Sequence, residues 1–232
     1  MIIQQIKSRQ RVADYGEVLT STNVVNAMLD LVKQETERID SRFLEPACGT
    51  GNFLTEILSR KLRVVEKKYR RSQLEFERNL VLAVSSIYGI DILPDNVIAC
   101  RQRLFEIADE KYTALFKSKI KAEVRRTLRF ILERNIVWGD ALTLKTVEDP
   151  PQPIVFSEWT FPFHNSLLKR RDFIFAELIP DEPKKRGQLD LLPKNRKFSD
   201  LGEEAFIPSE THSYPPVHFL KLGEENDSEL QS

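Results

Sequence analysis

The chain has little of what would mark a protein from composition alone. Its 232 residues hold two cysteines, eight glycines and 35 basic against 35 acidic side chains. Cys48 and Cys100 are too few for a disulfide framework and fit a reducing, cytoplasmic compartment. No apolar run approaches the roughly 20 residues needed to span a bilayer, which argues against a membrane protein. Met1 to Gln10 starts with a short apolar stretch but lacks the apolar core of a secretory signal. A formal net charge of zero gives no global attraction for a polyanion, which weighs against a self-sufficient nucleic-acid enzyme. The rest is ordinary: 41% hydrophobic and 30% charged residues, in a length that fits one α/β domain with a substantial core. No internal repeat is evident.

One dense signal stands out: Phe43-Leu44-Glu45-Pro46-Ala47-Cys48-Gly49-Thr50-Gly51-Asn52-Phe53-Leu54. Two apolar residues run into an acid, a glycine-bearing turn follows, and a helix-compatible segment opens at once. Strand–loop–helix segments of this kind place glycine where the backbone passes close to a ligand. A dinucleotide-binding loop wants a third glycine, so that its helix can press against the strand beside a pyrophosphate. Leu54 occupies that place here. Glu45 stands four residues before Gly49, and Pro46 fixes the turn. An acid there can hold the ammonium of an amino-acid moiety, directly or through water, which suits S-adenosylmethionine better than NAD.

Glu45 to Phe53 resembles the cofactor loop of the DNA adenine methyltransferases of restriction–modification systems. Upstream, Gly16-Glu17-Val18-Leu19-Thr20-Ser21 and Val24-Val25-Asn26-Ala27-Met28 are similar to the threonine-bearing segment that precedes the loop in those enzymes. Residues 12–175 more broadly resemble a group of short restriction-endonuclease methylase subunits. The resemblance implies a Rossmann-like, S-adenosylmethionine-dependent methyltransferase fold: α/β, with a mostly parallel sheet flanked by helices. It places a cofactor-binding domain with an N-terminal helical segment at 1–175, while composition makes 176–232 a polar, partly disordered extension in which Pro180 to Arg186 reads as a loop and Gly223 to Ser232 as an acidic tail. No metal is implied.

Hydrophobic spacing leads toward the same architecture. Thr20 to Asn23 offers caps for a helix whose apolar face is Val24, Val25, Met28, Leu29, Leu31 and Val32. Phe43-Leu44 reads as a short strand and Phe53 to about Leu62 as a helix. Ile87 to Ile90 reads as a strand ending in Asp91, and Pro94 opens a helix toward Phe116. The basic amphipathic segment Lys117 to Arg134 leads to Ile136-Val137-Trp138 and Gly139-Asp140. Alternating strands and helices of this length predict βαβ units with right-handed crossovers.

Ligands of such sheets sit beyond the carboxyl ends of the strands, where Glu45, Asp91 and Asp140 each close an apolar run. In the methyltransferase reading Glu45 and the loop residues Pro46, Ala47, Cys48, Gly49, Gly51, Asn52 and Phe53 hold the methionine end. Asp91 accepts both ribose hydroxyls, and Ile92 covers one adenine face. Asp140 accepts from the exocyclic amine of the cofactor's adenine, with apolar contact from Ala141 and Leu142. Thr20 hydrogen-bonds the cofactor's carboxylate. A strand-end aspartate is also an ordinary cap or turn residue.

What the resemblance requires next is missing. Adenine methyltransferases continue with an apolar strand ending in Asn/Asp/Ser-Pro-Pro-aromatic, which grips the target amine and stacks on the flipped base. Asp149-Pro150-Pro151-Gln152 fits at three of the four positions, but Gln152 cannot stack. The preceding Thr143 to Glu148 does not read as a buried strand, so a surface turn is expected. Ile154-Val155-Phe156, ending in Ser157-Glu158-Trp159, is a second candidate, although Trp159, Phe161 and Phe163 equally suit a sheet edge or core end. Tyr214-Pro215-Pro216-Val217 has no suitable polar residue before its prolines. Catalytic residues therefore stay unassigned.

Lys169-Arg170-Arg171, among Phe161, Phe163 and Phe173, could pair DNA phosphates, although charge runs are more often solvated faces. Residues 176–232 are too short and polar for a target-recognition region, so a specificity or endonuclease partner is expected to supply recognition. Two functions follow: an adenine-specific DNA methyltransferase, or a cofactor-binding subunit without catalysis in a restriction or defence assembly.

Overall fold

The computed structural model describes residues 10, 11, 13, 17, 20–163, 165–179, 196–198, 204–206 and 210–224. Gly16, Val18, Leu19, Pro180 to Arg186 and the acidic tail after residue 224 lie outside the described residues. Helices α1 (Thr22–Asp30) and α2 (Lys33–Thr36) lead to strand β1 (Phe43–Glu45). Helices α3 (Asn52–Tyr69) and α4 (Gln73–Ser85) cross to β2 (Ile87–Asp91), and α5 (Pro94–Phe116) and α6 (Ala122–Asn135) cross to β3 (Ile136–Asp140). The three strands pair in parallel in that order, Leu44 opposite Tyr88 and Asp91 opposite Trp138. A two-residue strand, β4 (Lys145–Thr146), adds antiparallel to β3.

Local chemistry explains the boundaries. The Ser72 hydroxyl accepts from the Glu75 amide to start α4, and Pro94 occupies the first turn of α5, where its missing N–H is not needed. The four crossover helices pack on one another, so they share one face of the sheet. Leu54, Leu58, Phe76, Leu80, Leu104 and Leu128 fill that side together with Ile87. Side chains alternate along β2, so Tyr88 and Ile90 point to the opposite face. There they meet Ile154, Phe156 and Phe175.

That second face is covered by a hairpin rather than by helices. Strands β5 (Val155–Thr160) and β6 (Leu167–Ile174) pair antiparallel, and the short helix α7 (Phe175–Leu178) follows. The Tyr88 hydroxyl donates to the Ser157 carbonyl at 2.9 Å, pinning the hairpin to the sheet. A separate pair, β7 (Arg196–Phe198) with β8 (Glu204–Phe206), precedes β9 (His212–Ser213) and β10 (Val217–His218), which both pair with β6. The chain then rests on α6, where the Thr127 hydroxyl donates to the carbonyl of the fully buried Phe219 at 2.5 Å.

The charged run that begins at Arg60 continues α3 to Tyr69, past the Leu62 boundary that apolar spacing suggests, and it is not uniformly solvated. Lys61 is fully buried. Its ammonium shares three protons among four acceptors, the carbonyls of Arg38 at 3.1 Å, Ile39 at 3.0 Å and Ser41, and the Ser86 hydroxyl at 2.8 Å. Burial pulls its pKa down to about 7. One side chain thus ties α3 to the turn before β1 and to the start of β2.

Candidate functional site

The glycine loop leaves β1 at Glu45 and enters α3 at Asn52. Its path is set by backbone bonds: the Cys48 amide donates to the Ile90 carbonyl at 2.9 Å, and the Gly51 amide to the Cys48 carbonyl at 2.8 Å. Gly49 and Gly51 have φ of 52° and 85°, the left-handed region that only glycine occupies freely. A Cβ at Gly51 would stand 2.6 Å from the Cys100 sulfur, so helix α5 fits directly against the loop. Cys100 beside it, burial, and the nearby Asp91 and Glu45 carboxylates push the Cys48 thiol above the ordinary range, which keeps it protonated. Neither cysteine is placed to act as a nucleophile.

One residue that the sequence left unremarked, Arg103, holds the loop from behind, together with Asn52 of the loop itself. From α5, the Arg103 guanidinium donates to the Thr50 carbonyl at 2.6 Å and to the Asn52 side-chain oxygen at 2.9 Å. The Asn52 amide then donates to the Thr20 carbonyl at 2.9 Å, bringing the upstream segment against the loop. Arg11 and Asn96 complete the surround. Arg11 pairs with Glu17 and with Asp95 at 2.8 Å, while Asn96 donates to Glu17 at 2.8 Å and to Asp91 at 3.2 Å. No sequence motif marks the clasp, because the Arg103–Thr50, Asn52–Thr20, Arg11–Asp95 and Asn96–Glu17 contacts each join residues far apart in the chain.

The three strand-end acids differ sharply in occupation. Asp91 is buried, and its carboxylate accepts from the Gly49 amide at 2.8 Å and the Leu93 amide at 2.9 Å. Asp140 takes the Leu142 amide on one oxygen at 2.9 Å, the turn role open to any aspartate, and leaves the other oxygen without a partner among the described residues. Glu45 is half-buried and its carboxylate makes no hydrogen bond or ion pair among the described residues. Burial alone raises its pKa. Neighbouring strands lie about 4.8 Å apart, so these acids span about 10 Å of one sheet edge. Ile92 has its carbonyl fixed by the Trp138 indole at 2.9 Å, with its side chain 41% exposed. Pro46 and Ala47 are exposed, Phe53 is half-buried, and Ala141 packs toward the hairpin face.

Residues 20–153, more than half of the chain, match the family model of the MmeI DNA-methyltransferase domain. The chain belongs to that family. It is thereby a member of a restriction–modification methyltransferase family, whose usual methyl donor is S-adenosyl-L-methionine. No curated protein and no solved structure matches the chain. The MmeI-type match takes in the loop and all three parallel strands and stops just before the hairpin.

On the base-facing side this methyltransferase-family chain offers less. Asp149, Pro150, Pro151 and Gln152 form an exposed turn, closed by the Thr146 amide on the Gln152 carbonyl at 2.8 Å. Trp159 is 3% exposed and its indole donates to Asn135 at 2.9 Å, so it belongs to the core and cannot stack on a base. Ser157 is also buried and donates to Asp172 at 2.7 Å. Arg170 lies against Asp172 at 2.7 Å, and Arg171 pairs with Glu158 and Glu210. Of the three cations at 169–171, Lys169 alone has no ion pair among the described residues, so the expected phosphate cluster is largely spent internally. Tyr214 is buried beside Arg170. Among the described residues no group of histidines, cysteines and acids could hold a metal, and no helix is long and apolar enough to cross a membrane.

Proposed function

We propose that this chain is a Rossmann-like, S-adenosyl-L-methionine-binding subunit of an N6-adenine DNA methyltransferase, working with a specificity or endonuclease partner. The observation that carries the reading is Glu45: a half-buried carboxylate without a partner among the described residues, at the mouth of the glycine loop. An uncompensated acid in such a place is costly unless a cation meets it. The cofactor's ammonium is such a cation. Gly49 puts no side chain between the loop and a ligand, Gly51 lets the loop seat against α5, and Thr20, held by Asn52, lies beside that end. A carboxylate offers about four acceptor sites, so Asp91, which already accepts from the Gly49 and Leu93 amides and from Asn96, keeps capacity for one ribose hydroxyl. The free oxygen of Asp140 suits an exocyclic amine, and Ile92 suits one face of an adenine ring.

When bound, the cofactor supplies an electrophilic methyl group on a sulfonium. The chain's own part is positioning: it holds both ends of the ligand between rigid strand ends, which is the main contribution such transfers need. Calorimetric titration with S-adenosylmethionine, in the native chain and in Glu45→Gln, tests the pocket. Micromolar binding that weakens in the variant supports it, and no binding by folded protein removes it.

A second reading is favoured by the burial of Trp159 and the exposed, non-aromatic Asp149 to Gln152 turn: a cofactor-binding subunit of a restriction or defence complex, without chemistry of its own. Labelled methyl transfer to DNA by the cofactor-loaded chain, alone and with candidate subunits, separates the two.

A further inference from the structure

The sheet winds in one direction only. β2 adds beside β1 and β3 beside β2, so β1 is a terminal strand whose outer edge has no partner among the described residues. In open α/β sheets the ligand crevice forms where the winding reverses, with a strand on each side of the loop. Here the glycine loop leaves a strand that has a neighbour on one side alone.

The backbone shows what that edge can accept. The Phe43 amide donates to the Ser86 carbonyl at 3.0 Å, toward β2. Alternation along the strand turns the N–H and C=O of Leu44 the other way, and neither has a partner among the described residues. The Leu44 side chain is 41% exposed. Beside this edge, between β1 and the hairpin, lies a groove of about 370 Å³. Phe43, Leu44, Tyr88, Phe156, Phe173 and Phe175 give it apolar walls. Unpaired backbone next to an apolar slot recognises an extended peptide: the ladder supplies direction, and the slot takes alternate side chains.

We propose that β1 and this groove accept a β-strand from a partner polypeptide. The chain's other described strands are committed elsewhere: β5 pairs with β6 along its length, and β7 pairs with β8. A second copy of the chain is a poor occupant. Pro46 offers no N–H, so two β1 edges would meet only around Leu44 and bury far less than the roughly 1,200 Å² of a stable interface. A partner strand lying parallel to β1 brings its carboxyl end beside Glu45 and the glycine loop. On the cofactor reading proposed for that loop, the partner thereby supplies the missing wall of the transfer site.

The test uses proline-free peptides of about eight residues, a common strand length, alternating valine or isoleucine with threonine. Amide hydrogen exchange is read residue by residue, with and without peptide, and cofactor affinity is measured in parallel. Leu44→Pro removes the outward N–H without touching the bonds to β2, and Leu44→Lys keeps the N–H but sets a charge in the groove. Circular dichroism and cofactor titration check the fold of each variant. The expected result is peptide binding that protects the Leu44 amide and weakens about tenfold or more in both variants. No binding at millimolar peptide, or binding without protection of Leu44, overturns the proposal. So does sedimentation showing a dimer of the chain that Leu44→Lys abolishes. Cofactor binding with peptide failure sinks the strand alone, whereas Leu44 protection without cofactor binding sinks the cofactor reading and leaves the edge.

Discussion

The carboxyl ends of the parallel strands and the hairpin on the opposite face use the same kinds of residue to opposite effect. At the strand ends, polar groups hold backbone in place and still leave acceptors without a partner among the described residues: both oxygens of Glu45 and one of Asp140. In the hairpin, Ser157, Asp172 and Arg170 satisfy one another, Glu158 meets Arg42 and Arg171, and the Trp159 indole is taken by Asn135. The first region stores unmet hydrogen-bonding capacity and the second has spent its own. Polar residues in a strand are therefore weak evidence of chemistry until their partners are known, and an acid with no partner is the stronger signal.

The widest gap between the two regions should come from Gly51→Val. It forces a branched side chain into a left-handed backbone and against the Cys100 sulfur, and should reduce cofactor affinity by about a hundredfold or more. The hairpin should not notice, so the buried emission of Trp159, read in a Trp138→Phe background because Trp138 lies at the site, stays unchanged; a red shift there would show that the regions are coupled. Asp172→Ala should do the reverse. It removes the carboxylate that the Ser157 hydroxyl and the Arg170 guanidinium share and should lower stability by about 3 kcal/mol in denaturant unfolding, with cofactor affinity unchanged.

Glu45→Gln should weaken cofactor binding by about tenfold, roughly 1.4 kcal/mol, without loss of stability. In the native chain, affinity should fall on acidification as protons neutralise Glu45, beginning above the usual carboxylate range because burial raises its pKa. A flat pH profile in the native chain would remove the ammonium contact. Smallest of all, Trp159→Phe should lose about 1 kcal/mol of stability with its Asn135 bond and leave any methyl transfer untouched. A selective loss of transfer would return Trp159 to the base-handling side.

The parallel half was readable from the sequence because its signals are local. Phe43 to Leu54 carries strand, turn and helix start within a dozen residues, and Pro94 marks the next helix by its own ring. Ile136 to Asp140 was likewise legible as a short apolar strand closed by an acid. Legibility ended where pairing became long-range. Nothing near Leu44 announces that its outer edge has no partner among the described residues, and nothing in Ser157-Glu158-Trp159 separates a catalytic strand end from a saturated hairpin. Those facts lie in Asp172, Asn135 and Arg171, far along the chain. The clasp on the loop from Arg103 was hidden for the same reason, inside a helix that otherwise reads as generic.

Lys61 carries a thermodynamic consequence as well as a structural one. In the folded protein burial holds its pKa near 7, while in the unfolded chain it returns to the ordinary lysine value of 10.5. Between those limits the unfolded state binds more protons, so unfolding takes one up and stability climbs as pH rises through that window. Below it both states are protonated and the dependence vanishes. Unfolding calorimetry in two buffers of different ionisation heat would count the proton directly, and Lys61→Met would remove it. The amino-terminal end of the sheet thus carries a single-proton ledger, at the opposite end of β1 from the glycine loop.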